Sequence, residues 1–351
     1  MILQLDLLKQ LLATPSPSGD EAATATLWRE YATTFADEVH ADVRGNSVAI
    51  LNGGSLRILL DGHIDEIGLM VTYISEGGFL YIAPIGGWDN QVLVGQRVVV
   101  QGRNGVVRGV IGKTPIHLLK GEARDHVTKV EELWIDIGAS DKAEAQSLVR
   151  VGATAVIDTP VLELPHGRLA ARGLDNRIGA FVVIEALRAL AQERPHATVA
   201  ASASVHEEIG GAGARAAAWN FNPQIALVVD VTFTTDDPSG DKQQWGEVSL
   251  GSGAVLSRGA ANSPVLFDML CEHAERAAIP YTVQVTAAYT GTNADVIHHS
   301  RSGVATAIIS IPNRYMHSPS EMIQISDVEH TVQLIAAFVR SLPDEPDLIP
   351  H

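Results

Sequence analysis

The period of the apolar positions changes twice along the chain. Residues 2–13 and 20–35 carry apolar side chains at three- and four-residue intervals, the stripe of a helix packed on one side. The string Thr14-Pro15-Ser16-Pro17-Ser18-Gly19 separates them, and Asp20 is placed to cap the second. Residues 39–51 and 56–60 then read as strands. From about residue 66 to about residue 160, short β-branched runs such as GLMVTYI, QRVVVQGRNGVVRGVIG and LWIDIG alternate with glycine turns. Helical spacing in that stretch is confined to 141–149. Beyond residue 167 the two periods alternate. Helices are expected over 176–192, 210–218, 263–278 and 327–342, and strands over 198–205, 225–231, 282–287 and 304–311.

This order predicts an α/β fold in which parallel-type βα units sandwich one sheet. The first segment completes that unit and the β-rich segment interrupts it. The division expected is 1–65 with 165–351 for the α/β domain and 66–164 for an inserted β-rich domain.

Composition narrows the function classes. A chain of 351 residues with 46% hydrophobic content buries more than one core, and it lacks any apolar run of membrane-spanning length. The N-terminus has no basic leader, so it reads as a mature helix. The single Cys271 fits a reducing cytoplasm, the expected location. With 25 Lys+Arg against 41 Asp+Glu the net charge is −16, the wrong sign for neutralising phosphates. Neither nucleic acid nor membrane is an expected partner.

The chemistry lies in five side chains at the ends of apolar runs or beside glycines: His63 in LLDGHIDEIG, Asp175 in RGLDNRIGA, Glu208 in SVHEEIGGAGA, Asp230 in IALVVDVTF and His317 in RYMHSPSE. Singly, each has an ordinary reading. His63 and Asp65 make a surface salt bridge, Asp175 a helix cap, Glu207-Glu208 a solvated turn, Asp230 a turn aspartate and His317 a loop histidine. Together, two imidazoles and three carboxylates at strand ends of one sheet form the mixed nitrogen and oxygen donor set that suits a pair of zinc-like ions. Asp65, two residues after His63 on extended chain, faces the same side and is placed to accept the other ring N–H. Glu207 is left over as a proton acceptor and donor. Neither a Gly-x-Ser-x-Gly elbow nor a phosphate loop occurs, and Cys271, His117, His206 and the His298-His299 turn read as structural.

DGHIDEIGLMV, IGGWDNQVLVGQRVVV, the run from Pro115 through HLLK to LWIDIG, GLDNRIGA, HEEIGGAGA and RYMHSPSE follow one another in order over nearly the whole chain. In this the chain resembles the M42 metallopeptidases, the tetrahedral or glutamyl aminopeptidases. The resemblance implies a mixed-sheet αβα catalytic domain of zinc-peptidase type, interrupted by a β-barrel or PDZ-like domain. It implies one metal on His63, Asp175 and Asp230 and a second on Asp175, Glu208 and His317. Glu207 becomes the general acid/base and Asp65 the support of His63, the two residues assigned to catalysis. A cis peptide after Asp175 is also implied. Two divalent ions, zinc with cobalt or manganese as substitutes, would activate a water for removal of N-terminal residues from short or unfolded peptides. The inserted domain would drive homo-oligomerisation into hollow shells such as a tetrahedral dodecamer, with the loop at Trp88-Asp89-Asn90-Gln91 approaching a neighbour's site. Two departures, Ala212 where the family carries arginine and Asn293 in the Gly291-Thr292-Asn293-Ala294 turn, leave the side-chain preference open. Rival readings are a two-metal carboxypeptidase or deacylase, which needs a cation to grip a substrate carboxylate; a glycoside hydrolase, which needs no metal; and a catalytically dead scaffold.

Overall fold

The computed structural model describes residues 2–351. An eight-stranded sheet forms the body, its strands in spatial order Glu38–Ala41, Ser47–Leu51, Thr198–Ser204, Arg57–His63, Ile225–Phe233, Ala305–Asn313, Ala254–Gly259 and Tyr281–Thr286. The four central strands, Thr198–Ser204 through Ala305–Asn313, run parallel. The flanks do not: Ser47–Leu51 pairs antiparallel with Thr198–Ser204, and Ala254–Gly259 antiparallel with Ala305–Asn313. The sheet is therefore mixed, as the family resemblance implies; the alternation of periods alone reads as parallel-type units. The expected strand over 39–51 is in fact a hairpin. Asp42 Oδ1 accepts the N–H groups of Arg44, Gly45 and Asn46, and Gly45 takes a φ of 101°, which reverses the chain.

The helix Leu174–Gln192 crosses one face of the sheet with almost every residue buried. Glycine permits its close approach. A Cβ at Gly62 would meet the backbone of Gly179 at 2.5 Å, and one at Gly179 would meet the Asn176 side chain and Val229 O. Phe181, Trp28, Phe338 and Leu8 fill the same core from three other helices and this one. The second helix begins at Ala22, not at residue 20. Asp20 does not cap it; its Oδ2 accepts from Thr154 Oγ1 at 2.8 Å, in the β-rich segment.

That segment closes into a six-stranded barrel: Gly68–Ile74, Leu80–Ile85, Trp134–Asp136, Gly105–Gly112, Arg97–Gly102 and Thr154–Ile157. Inward positions such as Leu69, Val71, Leu80, Ile82, Val98, Val100 and Ile135 pack a core of their own. A third, small sheet joins Leu162–Leu164, Arg168–Ala171 and Glu321–Gln324, with Ala171 opposite Glu321. The hydropathy pattern predicts none of those three strands. Among the described residues no helix is long and apolar enough to cross a membrane. The chain is an α/β protein with an αβα mixed-sheet body interrupted by a β-barrel.

Candidate metal centre

The parallel strands deliver their chemistry to one end. His63 closes Arg57–His63, Asp230 lies near the end of Ile225–Phe233, Glu207 and Glu208 follow Thr198–Ser204, and His317 follows Ala305–Asn313. Asp175 stands at the start of Leu174–Gln192, joined to Asn176 by a cis peptide. Asn176 Nδ2 donates to Val229 O, which ties this turn to the strand carrying Asp230.

The five side chains singled out from the sequence converge. Asp175 divides its carboxylate between two imidazoles: Oδ1 lies 3.2 Å from His63 Nε2 and Oδ2 3.3 Å from His317 Nε2. His63 Nε2 is also 3.6 Å from Glu207 Oε2 and 3.9 Å from Asp230 Oδ1, and His317 Nε2 is 3.5 Å from Glu208 Oε2. Two sets of three donor atoms lie within 4.8 Å of one another: His63 with Asp175 and Glu208, and His63 with Glu207 and Asp230. These groupings cut across the two ligand sets that the family resemblance implies: His63 joins Glu208 in one, and Glu207 joins Asp230 in the other. The six groups form one cluster around Asp175.

Asp65 is fully buried behind His63. Its Oδ1 is 3.3 Å from His63 Nδ1, and its own backbone carbonyl is 3.1 Å from the same nitrogen. Ser18 Oγ donates to Asp65 Oδ2 at 2.7 Å. His206 points elsewhere, its Nε2 3.6 Å from Glu21 Oε1. His298, read from sequence as part of an exposed turn, is half-buried, with Nδ1 3.0 Å from Ala261 O; only His299 is exposed.

Charge in the cluster is unbalanced. Burial pushes the Glu207 carboxyl up to about 7, with the nearby Asp175 and Asp65 adding to the push and His63 opposing it. Burial and the Asp175 charge push Glu208 well above the carboxylate range, and burial above all does the same for Asp230. For Asp175 burial acts upward, yet the bonds to His317 and His63 outweigh it and hold the group below its usual value. For His63 burial acts downward and is overcome by Glu207, Asp175 and Asp65, so its pKa is raised. Four carboxylates against two imidazoles is costly unless further positive charge is brought in. Glu208 Oε1 is buried with no hydrogen-bond partner, an acceptor left over by the protein. Imidazole and carboxylate donors fit zinc, cobalt or manganese.

Two features escape a reading of hydropathy and motifs. One is Glu321, buried beneath the cluster, whose Oε2 accepts the Asp175 N–H and whose Oε1 accepts the His317 N–H, each at 2.9 Å. Its position in HSPSE, four residues after His317, is the one signal the sequence offers. The other is the Gly86-Gly87 turn of the barrel. A Cβ at Gly86 would lie 3.3 Å from Glu208 Oε2, and one at Gly87 would lie 3.4 Å from His317 Nδ1.

A family model described as M42 glutamyl aminopeptidase matches residues 45–334. The chain belongs to that family. It is 35% identical to the lysyl aminopeptidase of Pyrococcus furiosus over 343 residues, covering 96% of this chain and 97% of that one. Among solved structures it resembles a TET aminopeptidase from a marine sediment archaeon of the Thaumarchaeota, with a TM-score of 0.92 and 34% identity over 96% of each chain. It also resembles the Pyrococcus horikoshii TET1 peptidase, described as assembling into a tetrahedron or a large octahedral shell, with a TM-score of 0.86, 32% identity, and coverage of 96% and 99%. This M42 protein is accordingly a metallo-aminopeptidase, a hydrolase acting on peptide bonds.

Proposed function

We propose that the chain removes N-terminal residues from peptides at a two-metal centre in which Glu207 is the general acid/base. The observation that carries this reading is the split carboxylate of Asp175, one oxygen on each imidazole, with Glu207 facing His63. His63, Asp175 and Asp230 would hold one divalent ion; Asp175, Glu208 and His317 would hold the other, zinc being the first choice. Such ions supply Lewis-acid charge where a scissile carbonyl develops negative charge. The remaining work falls to the protein. Glu207, facing His63 in the cluster, takes a proton from the attacking water and returns it to the departing amine. Asp65 keeps the His63 ring in one orientation.

Residues 1–65 and 165–351 would form the catalytic domain and 66–164 the assembly domain. Ile116, Leu118 and Val127, all exposed on the barrel segment, support a role in self-association. The test of the activity is a panel of aminoacyl p-nitroanilides and matched peptides with free or acetylated amines, each assayed with metal removed and restored. Cleavage of the free-amine series alone, dependent on metal, is expected. Equal cleavage of acetylated peptides would favour a deacylase or related amidohydrolase, and metal-independent cleavage of glycosides a glycosidase.

A further inference from the structure

We infer that Glu321 is a positioning residue that fixes the spacing between the two halves of the metal centre. The inference rests on the two-metal reading above and extends it to a residue outside the ligand set.

The fold places Glu321 at the junction of the two chain segments that carry Asp175 and His317. Arg168–Ala171 runs antiparallel to Glu321–Gln324, with Ala171 opposite Glu321. One strand leads into the turn that ends at Asp175; the loop carrying His317 leads into the other. At that junction the Glu321 carboxylate uses both oxygens, Oε2 on the Asp175 amide and Oε1 on the His317 amide, each at 2.9 Å. The side chain is 2% exposed, so water does not compete for either oxygen. Each carboxyl oxygen has a lone pair for one amide N–H, and both bonds have the ordinary length of an N–H···O contact. His317 is a non-glycine residue at φ 58°, a conformation that persists only where its surroundings impose it. The bond to its amide is one such constraint.

Alternative roles fit less well. Glu321 is absent from both close groupings of donor atoms, and its two oxygens are already engaged by amides. The neighbouring buried charges make their own set. Arg177 Nη2 is 2.7 Å from Glu66 Oε2, and Arg177 also donates to Gly173 O and Thr14 O. That set holds the turn through Gly173 O and donates to the amide of neither ligand. Glutamine at 321 would turn an NH2 towards one amide N–H, and aspartate, one methylene shorter, would reach only one.

The experiment compares full-length wild type, Glu321→Gln, Glu321→Asp and Glu66→Gln. Each is stripped by chelator and titrated with Co2+, following visible absorption and heat, with the melting temperature of the metal-free form recorded alongside. Wild type is expected to bind two ions. Both Glu321 variants are expected to bind cobalt about 10–100-fold more weakly, with an altered visible spectrum and a lower kcat at unchanged KM. Glu66→Gln is expected to lower the melting temperature while keeping the wild-type spectrum and affinity. If either folded Glu321 variant matched wild type in affinity and spectrum, the positioning role would be overturned, whatever its melting temperature. Should Glu321→Gln not fold, Glu321→Asp, which keeps a carboxyl group, decides the question in the same way. Wild type that bound no cobalt would instead overturn the two-metal reading itself.

Discussion

The backbone N–H of Glu207 donates to Asp65 Oδ1 at 3.1 Å, and the same oxygen stands 3.3 Å from His63 Nδ1. The second oxygen of Asp65 accepts the Glu208 N–H at 3.2 Å. One carboxylate thus orients the imidazole of a proposed metal ligand and the backbone of the two glutamates. Asp65→Asn would face an NH2 towards donors on at least one of these contacts. A fall of about 10–100-fold in kcat/KM is expected, read by steady-state kinetics on a leucyl or lysyl p-nitroanilide.

Glu207→Gln preserves shape and removes the proton acceptor. Turnover should drop by about 10²–10⁴-fold. Metal content, measured by elemental analysis, should stay at the wild-type level, because the five proposed ligands are untouched. A variant of wild-type activity would remove Glu207 from the mechanism.

Chelation should abolish activity and readdition of zinc, cobalt or manganese should restore it. Stability should move with activity. Burial holds Glu208 and Asp230 well above the carboxylate range, so cations that take up their charge favour the folded state. At about 100-fold excess over the dissociation constant the gain is about 2.7 kcal/mol per site. Differential scanning of stripped and reloaded protein measures it; equal melting temperatures would count against tight binding.

Asp327 carries a separate pH signature. Burial lifts its carboxyl to about 6 from 3.8, against the opposing N–H donors of Gly251 and Gly253. A folded-state pKa above the unfolded one means that the folded chain binds the proton more tightly. Its contribution is then full below about pH 4 and is lost as pH rises through about 6. At about 1.4 kcal/mol per pH unit the loss is on the order of 3 kcal/mol. Asp327→Asn has no proton to lose. The difference in unfolding free energy between wild type and variant should fall over that window and be flat outside it.

Glu66→Ala leaves Arg172 and Arg177 buried without their carboxylate. Breaking a buried pair in this manner costs about 3–5 kcal/mol. Chemical denaturation should register a loss of that size. A change under 1 kcal/mol would show that the buried pair carries no such stabilisation.

Much of the architecture is legible in the text because burial dictates it. The strands Thr198–Ser204 and Ile225–Phe233 are buried on both faces, so their apolar runs stand out, and the helix Ile325–Ser341 keeps a clean stripe. The flanking directions were not legible. Antiparallel pairing of Ser47–Leu51 with Glu38–Ala41 is set by the Asp42 turn, which leaves no mark on periodicity. The metal-seeking residues are readable for a different reason: carboxylates at the ends of apolar runs conflict with burial, and the conflict points to function. Glu321 and Gly87 produce no such conflict in the sequence. Glu321 acts through the amides of other residues, and Gly87 acts by lacking a side chain, so both depend on contacts between segments far apart in the chain.

The Gly86-Gly87 turn abuts Glu208 and His317, so the barrel supplies one wall of the proposed metal centre. Transplanting the barrel between relatives is therefore an operation on the chemistry as well as on quaternary structure. A hybrid with a bulkier turn would press on two proposed ligands, and one lacking the turn would open that flank to solvent.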